Sequence, residues 1–194
     1  MKGFGDNKNL KIKSLNELQL KKYHNQIMNR AFKYHSEGNI SEAKKSYQYL
    51  IKEGFQDIRV FNNYGMILVN LGDLKQAKFF INKVIELNPK DELAYSNLGG
   101  ILKDLGEFEE AVFSIRKAIK LNPNNALSHC NLGGILKDIG DFEEAELIIR
   151  KAIKLNPNNA ASHFNLGGTL KELGKLKEAI LSINKSIELN PDFS

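Results

Sequence analysis

Five asparagines recur at intervals of 34 residues: Asn29, Asn63, Asn97, Asn131 and Asn165. A carboxamide carries both a donor and an acceptor, so a stacked row of them can pair with a peptide backbone whatever side chains that backbone bears. Gly100, Gly134 and Gly168 follow the last three asparagines at a fixed distance, and glycine there would let such a backbone come close. Further along, Lys103, Lys137 and Lys171 directly precede Asp104, Asp138 and Glu172. Two rows of opposite sign can read charge on a ligand. They can equally neutralise each other on a solvated face, where such pairs are worth about 0–1 kcal/mol. The asparagines have a local alternative as well, which is to bond within the array.

Other chemistry is poorly supported. His129, Cys130 and His163 suggest a metal, but the two histidines stand at the repeat position held elsewhere by Phe61 and Tyr95, and no spacing resembles a structural zinc site. Nothing around Cys130 indicates a thiol of lowered pKa. No phosphate loop and no set of nucleophile, base and orienting group is present in the sequence. The reading is a chain without catalytic residues, metal or cofactor of its own.

The rows must be positioned by a repeat. Asn97-Leu98-Gly99-Gly100-Ile101-Leu102-Lys103-Asp104, then Gly106, Phe108, Ala111 and Pro123, returns 34 residues later as Asn131 to Asp138, Gly140, Phe142, Ala145 and Pro157. The frame extends over 58–91, 92–125, 126–159 and 160–193, with a worn first copy at 24–57 that has Phe55 in place of the proline. Each copy reads as a helical hairpin, helix A over its first fourteen positions and helix B over the eighteenth to thirty-first. Gly38, Gly72, Gly106, Gly140 and Gly174 end helix A where a left-handed residue costs glycine nothing. Ala31, Gly65, Gly99, Gly133 and Gly167, at the eighth position, leave no side chain where the two helices cross. Ala111, Ile115, Ala118 and Ile119 form one apolar face of helix B. Asn88-Pro89, Asn122-Pro123, Asn156-Pro157 and Asn190-Pro191 close the repeats, and the asparagine is expected in a left-handed turn. The third and fourth copies agree at 25 of 34 positions, so successive interfaces should be nearly superimposable.

Leucine and glycine at the seventh and eighth positions, alanine at the twentieth and proline at the thirty-second resemble the tetratricopeptide repeat. The resemblance covers all five copies, although the tryptophan often found at the fourth position is replaced by Phe61, Tyr95, His129 and His163. It implies an all-α, right-handed α-solenoid of five 34-residue helix-turn-helix repeats whose A helices line a concave surface. In that surface the asparagine row is similar to the asparagine ladder in the superhelical arm of O-linked N-acetylglucosamine transferases. A dicarboxylate clamp for a peptide C-terminus is not expected. The positions it needs hold Met28, Asn62, Leu93, Ser96, Leu127, Cys130, Ala161 and Phe164, with Arg59 as the exception.

Bulk properties narrow the partners. The formal charge of +5, from 28 basic and 23 acidic residues, is mixed along the chain, which argues against nucleic acid. One cysteine fits a reducing compartment, and no run of apolar residues is long enough to span a membrane. A cytoplasmic protein is expected. Residues 1–13 read as a disordered tail and 14–23 as an extension of the first helix, which Ser14 and Glu17 would start as a capping box. At the other end the fifth copy lacks the polar-faced terminal helix that repeat arrays need. A further portion of a longer protein, or self-association through Ile180, Ile183 and Ile187, would cover it. The expectation is a scaffold that holds an extended peptide segment of a partner protein through Asn63, Asn97, Asn131, Asn165, Lys103, Lys137, Lys171, Gly100 and Gly134. The alternatives are the recruiting arm of a longer transferase and a self-associating array.

Overall fold

The computed structural model describes residues 4–191, with side chains from residue 16 onward. It contains α1 (Phe4–Ser36), α2 (Ile40–Lys52), α3 (Ile58–Asn70), α4 (Leu74–Leu87), α5 (Glu92–Asp104), α6 (Phe108–Leu121), α7 (Ala126–Ile139), α8 (Phe142–Leu155), α9 (Ala160–Glu172) and α10 (Leu176–Leu189), and no strand among the described residues. Odd and even helices pair as five hairpins, and each even helix then packs on the odd helix that follows it. Odd helices α5, α7 and α9 also touch one another, whereas the even helices meet their neighbours mainly through the odd layer. The result is a two-layer, all-α solenoid.

Each hairpin turn is set by one glycine. Gly106 sits at φ 77°, and the next amide, on Glu107, reaches back to the Leu102 carbonyl at 2.9 Å, which satisfies an otherwise orphaned helix-end acceptor. Side-chain caps then start the new helices: Asp73 accepts from the Gln76 amide, Asp91 from Ala94 and Asn159 from Ser162.

The close of each repeat differs from the expected left-handed asparagine. Asn88, Asn122 and Asn156 lie at φ −139°, −137° and −141°, and among the described residues no residue other than glycine has positive φ. The following proline explains this, because its ring drives the preceding residue into extended backbone. Asparagine serves there through its side chain: Oδ1 of Asn88, Asn122 and Asn156 accepts the amide two residues on, from Lys90, Asn124 and Asn158. In the first repeat, which lacks the proline, Gly54 takes the left-handed conformation instead (φ 75°), and the Phe55 amide bonds Leu50 O at 2.9 Å.

The N-terminal helix also differs from its expected start at Leu15. It begins at Phe4 and carries Ser14 inside it, so the helix does not start there. After Gly5 the segment is rich in lysine and leucine and holds no proline, so nothing interrupts the helix. Residues 1–3 of the expected disordered tail lie outside the described residues.

The core runs along the crossing of the two layers. Ala111, Ile115 and Ala118 of α6 and Ala145, Ile149 and Ala152 of α8 are completely buried. Gly99 faces Ile115 and Gly133 faces Ile149 so closely that a Cβ on either glycine would fall on the isoleucine side chain. At Gly167 the same test puts a Cβ 2.5 Å from Ile183 Cγ1. Close packing therefore outweighs the roughly 1 kcal/mol that glycine costs inside a helix. Gly100, one residue along, meets nothing within 4 Å. Thermal unfolding followed by circular dichroism should separate these roles. Gly133→Val is expected to lose about 1–3 kcal/mol through overpacking, whereas Gly100→Ala should gain about 0.5–1 kcal/mol from helix propensity alone.

Candidate functional site

The odd helices bring the asparagine row together, but the five residues do not share one environment. Asn29 is exposed, while Asn63, Asn97, Asn131 and Asn165 are half-buried. Asn97 Nδ2 donates to Asn62 Oδ1 at 3.3 Å, and Asn165 Nδ2 lies 3.7 Å from the Cys130 sulfur, a weak acceptor. Asn131 makes no side-chain hydrogen bond among the described residues. Asn63 stands beside Tyr47, whose hydroxyl burial pushes up to about 12; the Asn63 carboxamide offsets part of that rise. It does not complete a well-formed bond, and the Tyr47 hydroxyl remains buried and unpartnered. Local bonding and availability thus alternate along the row.

The glycines differ in the same way. Gly100 is open, Gly134 lies under the Asn165 carboxamide, where a Cβ would sit 3.4 Å from Nδ2, and Gly168 lies under the Lys137 stem. The lysine and carboxylate rows pair diagonally. Asp138 takes Lys103 at 3.1 Å and Lys137 at 3.5 Å, while Lys171 is exposed with no ion pair among the described residues. Two of the three lysines are therefore partly neutralised within the array.

Three exposed apolar residues escaped the sequence reading. Leu93, Leu127 and Phe164 are 61 %, 54 % and 45 % exposed on the odd helices that carry the asparagines. Leu93 and Leu127 even share the 34-residue spacing, but they stood out in the sequence only as positions where a clamp would need a cation. Arg59, the one cation at those positions, is committed elsewhere: its Nε and Nη2 donate to Asp57 at 3.0 and 2.7 Å, and its guanidinium lies 5.7 Å from the Phe32 ring centre.

The histidines are held by backbone. His129, buried, places Nδ1 2.9 Å from Asn125 O, and His163 places Nε2 2.8 Å from Pro157 O. Among the described residues no three histidine, cysteine or acidic groups converge as a metal site, and no helix is long and apolar enough to cross a membrane.

Family profiles described as tetratricopeptide repeat match residues 93–125, then 58–91 and 126–159, and then 148–180. The chain belongs to the tetratricopeptide repeat family. Among solved structures, MamA (residues 41 to the end) from Desulfovibrio magneticus RS-1 is similar at 22 % identity with a TM-score of 0.78, covering 88 % of this chain and 97 % of that one. A further MamA crystal structure gives 21 % identity and a TM-score of 0.75, covering 87 % and 92 %. YrrB, described as a TPR protein with an unusual peptide-binding site, gives 21 % and 0.70 over 86 % of each chain. At this identity the likeness is one of fold. No curated protein sequence matches the chain.

Within the tetratricopeptide frame, Asp57 has two tasks at the head of the groove: it caps α3 by accepting from the Arg59 amide at 2.9 Å, and it grips the Arg59 guanidinium. That guanidinium, foremost, holds the Asp57 carboxyl below the usual carboxylate range, against the opposing effect of burial. A depressed native pKa means stability that is complete above the ordinary carboxylate range and lost as pH falls through the native value. Asp57→Asn keeps a capping oxygen but not the charge, so the variant should be less stable than the parent at neutral pH and lose less stability on acidification. Denaturant titrations from neutral to strongly acidic pH, with an NMR titration of Asp57, measure both.

Proposed function

We propose that the chain is a cytoplasmic scaffold that holds an extended segment of a partner protein against α3, α5, α7 and α9. What carries this reading is the combination, on one face, of the half-buried carboxamides Asn97, Asn131 and Asn165 with the exposed apolar groups Leu93, Leu127 and Phe164. The carboxamides pair with the segment's backbone, and the apolar groups take alternate side chains. Asn131 is the first contact, since no neighbour in the described chain occupies its side chain. Gly100 lets the segment approach. Charge contributes little, because Lys103 and Lys137 share Asp138. The segment is accordingly expected to be apolar rather than acidic.

A second reading rests on α10. Leu176, Ile180 and Ile187 are 60 %, 59 % and 44 % exposed there, and they fit self-association end to end.

Two measurements test these readings. In a lysate pull-down, the Asn97→Ala, Asn131→Ala pair should lose specific partners retained by the parent while keeping its helicity; equal retention by both forms sinks the groove reading. Sedimentation should give a mass that rises with concentration and falls in Ile180→Glu, Ile187→Glu if self-association holds, and a constant mass otherwise.

A further inference from the structure

The even helices carry a second row on the opposite layer. Phe79, Phe113, Leu147 and Leu181 stand at one repeat position and are 55 %, 72 %, 68 % and 69 % exposed. Four such groups in register are too regular for singly scattered surface apolars. Between successive even helices the surface is indented, and the indentation recurs. A cleft of about 290 Å³ is lined by Phe61, Phe79 and Lys83, and one of about 420 Å³ by their counterparts His163, Leu181 and Lys185. Each cleft thus offers an apolar wall with a lysine one turn further along the helix.

Charge on this face is segregated along each helix, with Glu109, Glu110, Glu143 and Glu144 one turn before Phe113 and Leu147 and the cations after them. Residues 112–125 hold Arg116, Lys117 and Lys120 with no carboxylate, and residues 147–159 hold Arg150, Lys151 and Lys154 with none. The arginines are spent on strapping the repeats together: Arg116 donates to both Glu144 oxygens at 2.8 Å, and Arg150 reaches Glu178 at 2.6 Å and Glu146 at 2.9 Å. Lys117, Lys120, Lys151 and Lys154 have no ion pair among the described residues. The outermost lysines differ, since Lys83 and Lys185 bond Glu86 and Glu188 at 2.7 and 2.8 Å. The available cations therefore centre on α6 and α8, beside Phe113 and Leu147.

We infer that this outer face is a second docking site, for an acidic amphipathic helix of a partner protein lying across α4, α6, α8 and α10. A crossing amphipathic helix can meet Phe79, Phe113, Leu147 and Leu181, one from each even helix, with its apolar face, and set flanking carboxylates on Lys117, Lys120, Lys151 and Lys154. Clefts of side-chain size favour this occupant over a membrane surface, which would need a flat face. The site is independent of the asparagine groove, on the other layer of the solenoid.

The test is fluorescence anisotropy with a labelled four-heptad peptide carrying leucine at every seventh position and glutamate around it, alongside the same peptide with lysine for glutamate. The acidic peptide should bind and the basic one should not. Lys117→Glu, Lys151→Glu should weaken binding about tenfold or more, as expected for two such pairs at up to about 1 kcal/mol each. Phe113→Ser, Leu147→Ser should weaken it with circular dichroism unchanged, and Asn97→Ala, Asn131→Ala should leave it as in the parent. Equal binding of both peptides, no binding of the acidic one, or indifference to the Lys117 and Lys151 reversal overturns the proposal. So does binding to phosphatidylserine vesicles or single-stranded DNA that depends on these lysines while the acidic peptide is ignored.

Discussion

The structure depends on how closely two helices cross at the eighth position of each repeat. In α5 that position is Gly99, and the side chain of Ile115 from α6 occupies the space a Cβ would take, with the Ala111 carbonyl 3.3 Å from the same point. The neighbours of that isoleucine on α6, Ala111 and Ala118, are small and completely buried, so the helices approach along a whole face rather than at one point. Interiors are packed too densely for such a contact to slide. Fixing it fixes the hairpin, and a chain of nearly identical hairpins stacks with nearly identical interfaces. The first repeat solves the problem differently, with Ala31 on α1 and a completely buried Tyr47 on α2. It leaves the Tyr47 hydroxyl without a partner, a cost that the later repeats avoid by using isoleucine.

Stacking converts a period in sequence into rows in space, and the two layers receive different rows. On the odd helices Asp138 serves both Lys103 and Lys137, while Lys171 has no ion pair among the described residues. On the even helices carboxylates crowd the first turns, as in Glu109, Glu110, Glu143 and Glu144, and lysines the last ones, as the helix dipole favours. A sequence of mixed charge thereby acquires a segregated surface. Lys117 and Lys151 are 34 residues apart in the chain and unremarkable there; the solenoid brings their helices side by side.

Much of the fold was legible in the period because the features that make a hairpin lie inside one repeat. Gly106 ends α5 in the left-handed conformation, and Gly99 clears the crossing, for reasons visible in a single copy. Asn88 was misread because proline constrains the residue before it more strongly than asparagine prefers a left-handed turn. The site was less legible because its contacts run between repeats at offsets that differ from the period. Asn97 to Asn62 and Asn165 to Cys130 span 35 residues, Arg116 to Glu144 spans 28, and Asn125 to Glu92 spans 33. Counting by 34 aligns equivalent residues but does not identify which ones touch.

Those offsets place the tuning of the groove on a position other than the invariant one. Asn97 and Asn165 look back at the fifth position of the preceding repeat, and that position varies: Asn62 before Asn97, Ser96 before Asn131, Cys130 before Asn165. A carboxamide oxygen is a full acceptor and holds Asn97 at 3.3 Å. A thiol is a weak one and leaves the Asn165 donors nearly intact for another partner. The buried Ser96 engages Asn131 in no hydrogen bond among the described residues. Asn97, Asn131 and Asn165 thus present unequal hydrogen-bonding capacity, graded by the residue one repeat back. Among the four half-buried asparagines, Asn131 is the one whose side chain no hydrogen bond occupies among the described residues, which makes it the centre of the proposed groove.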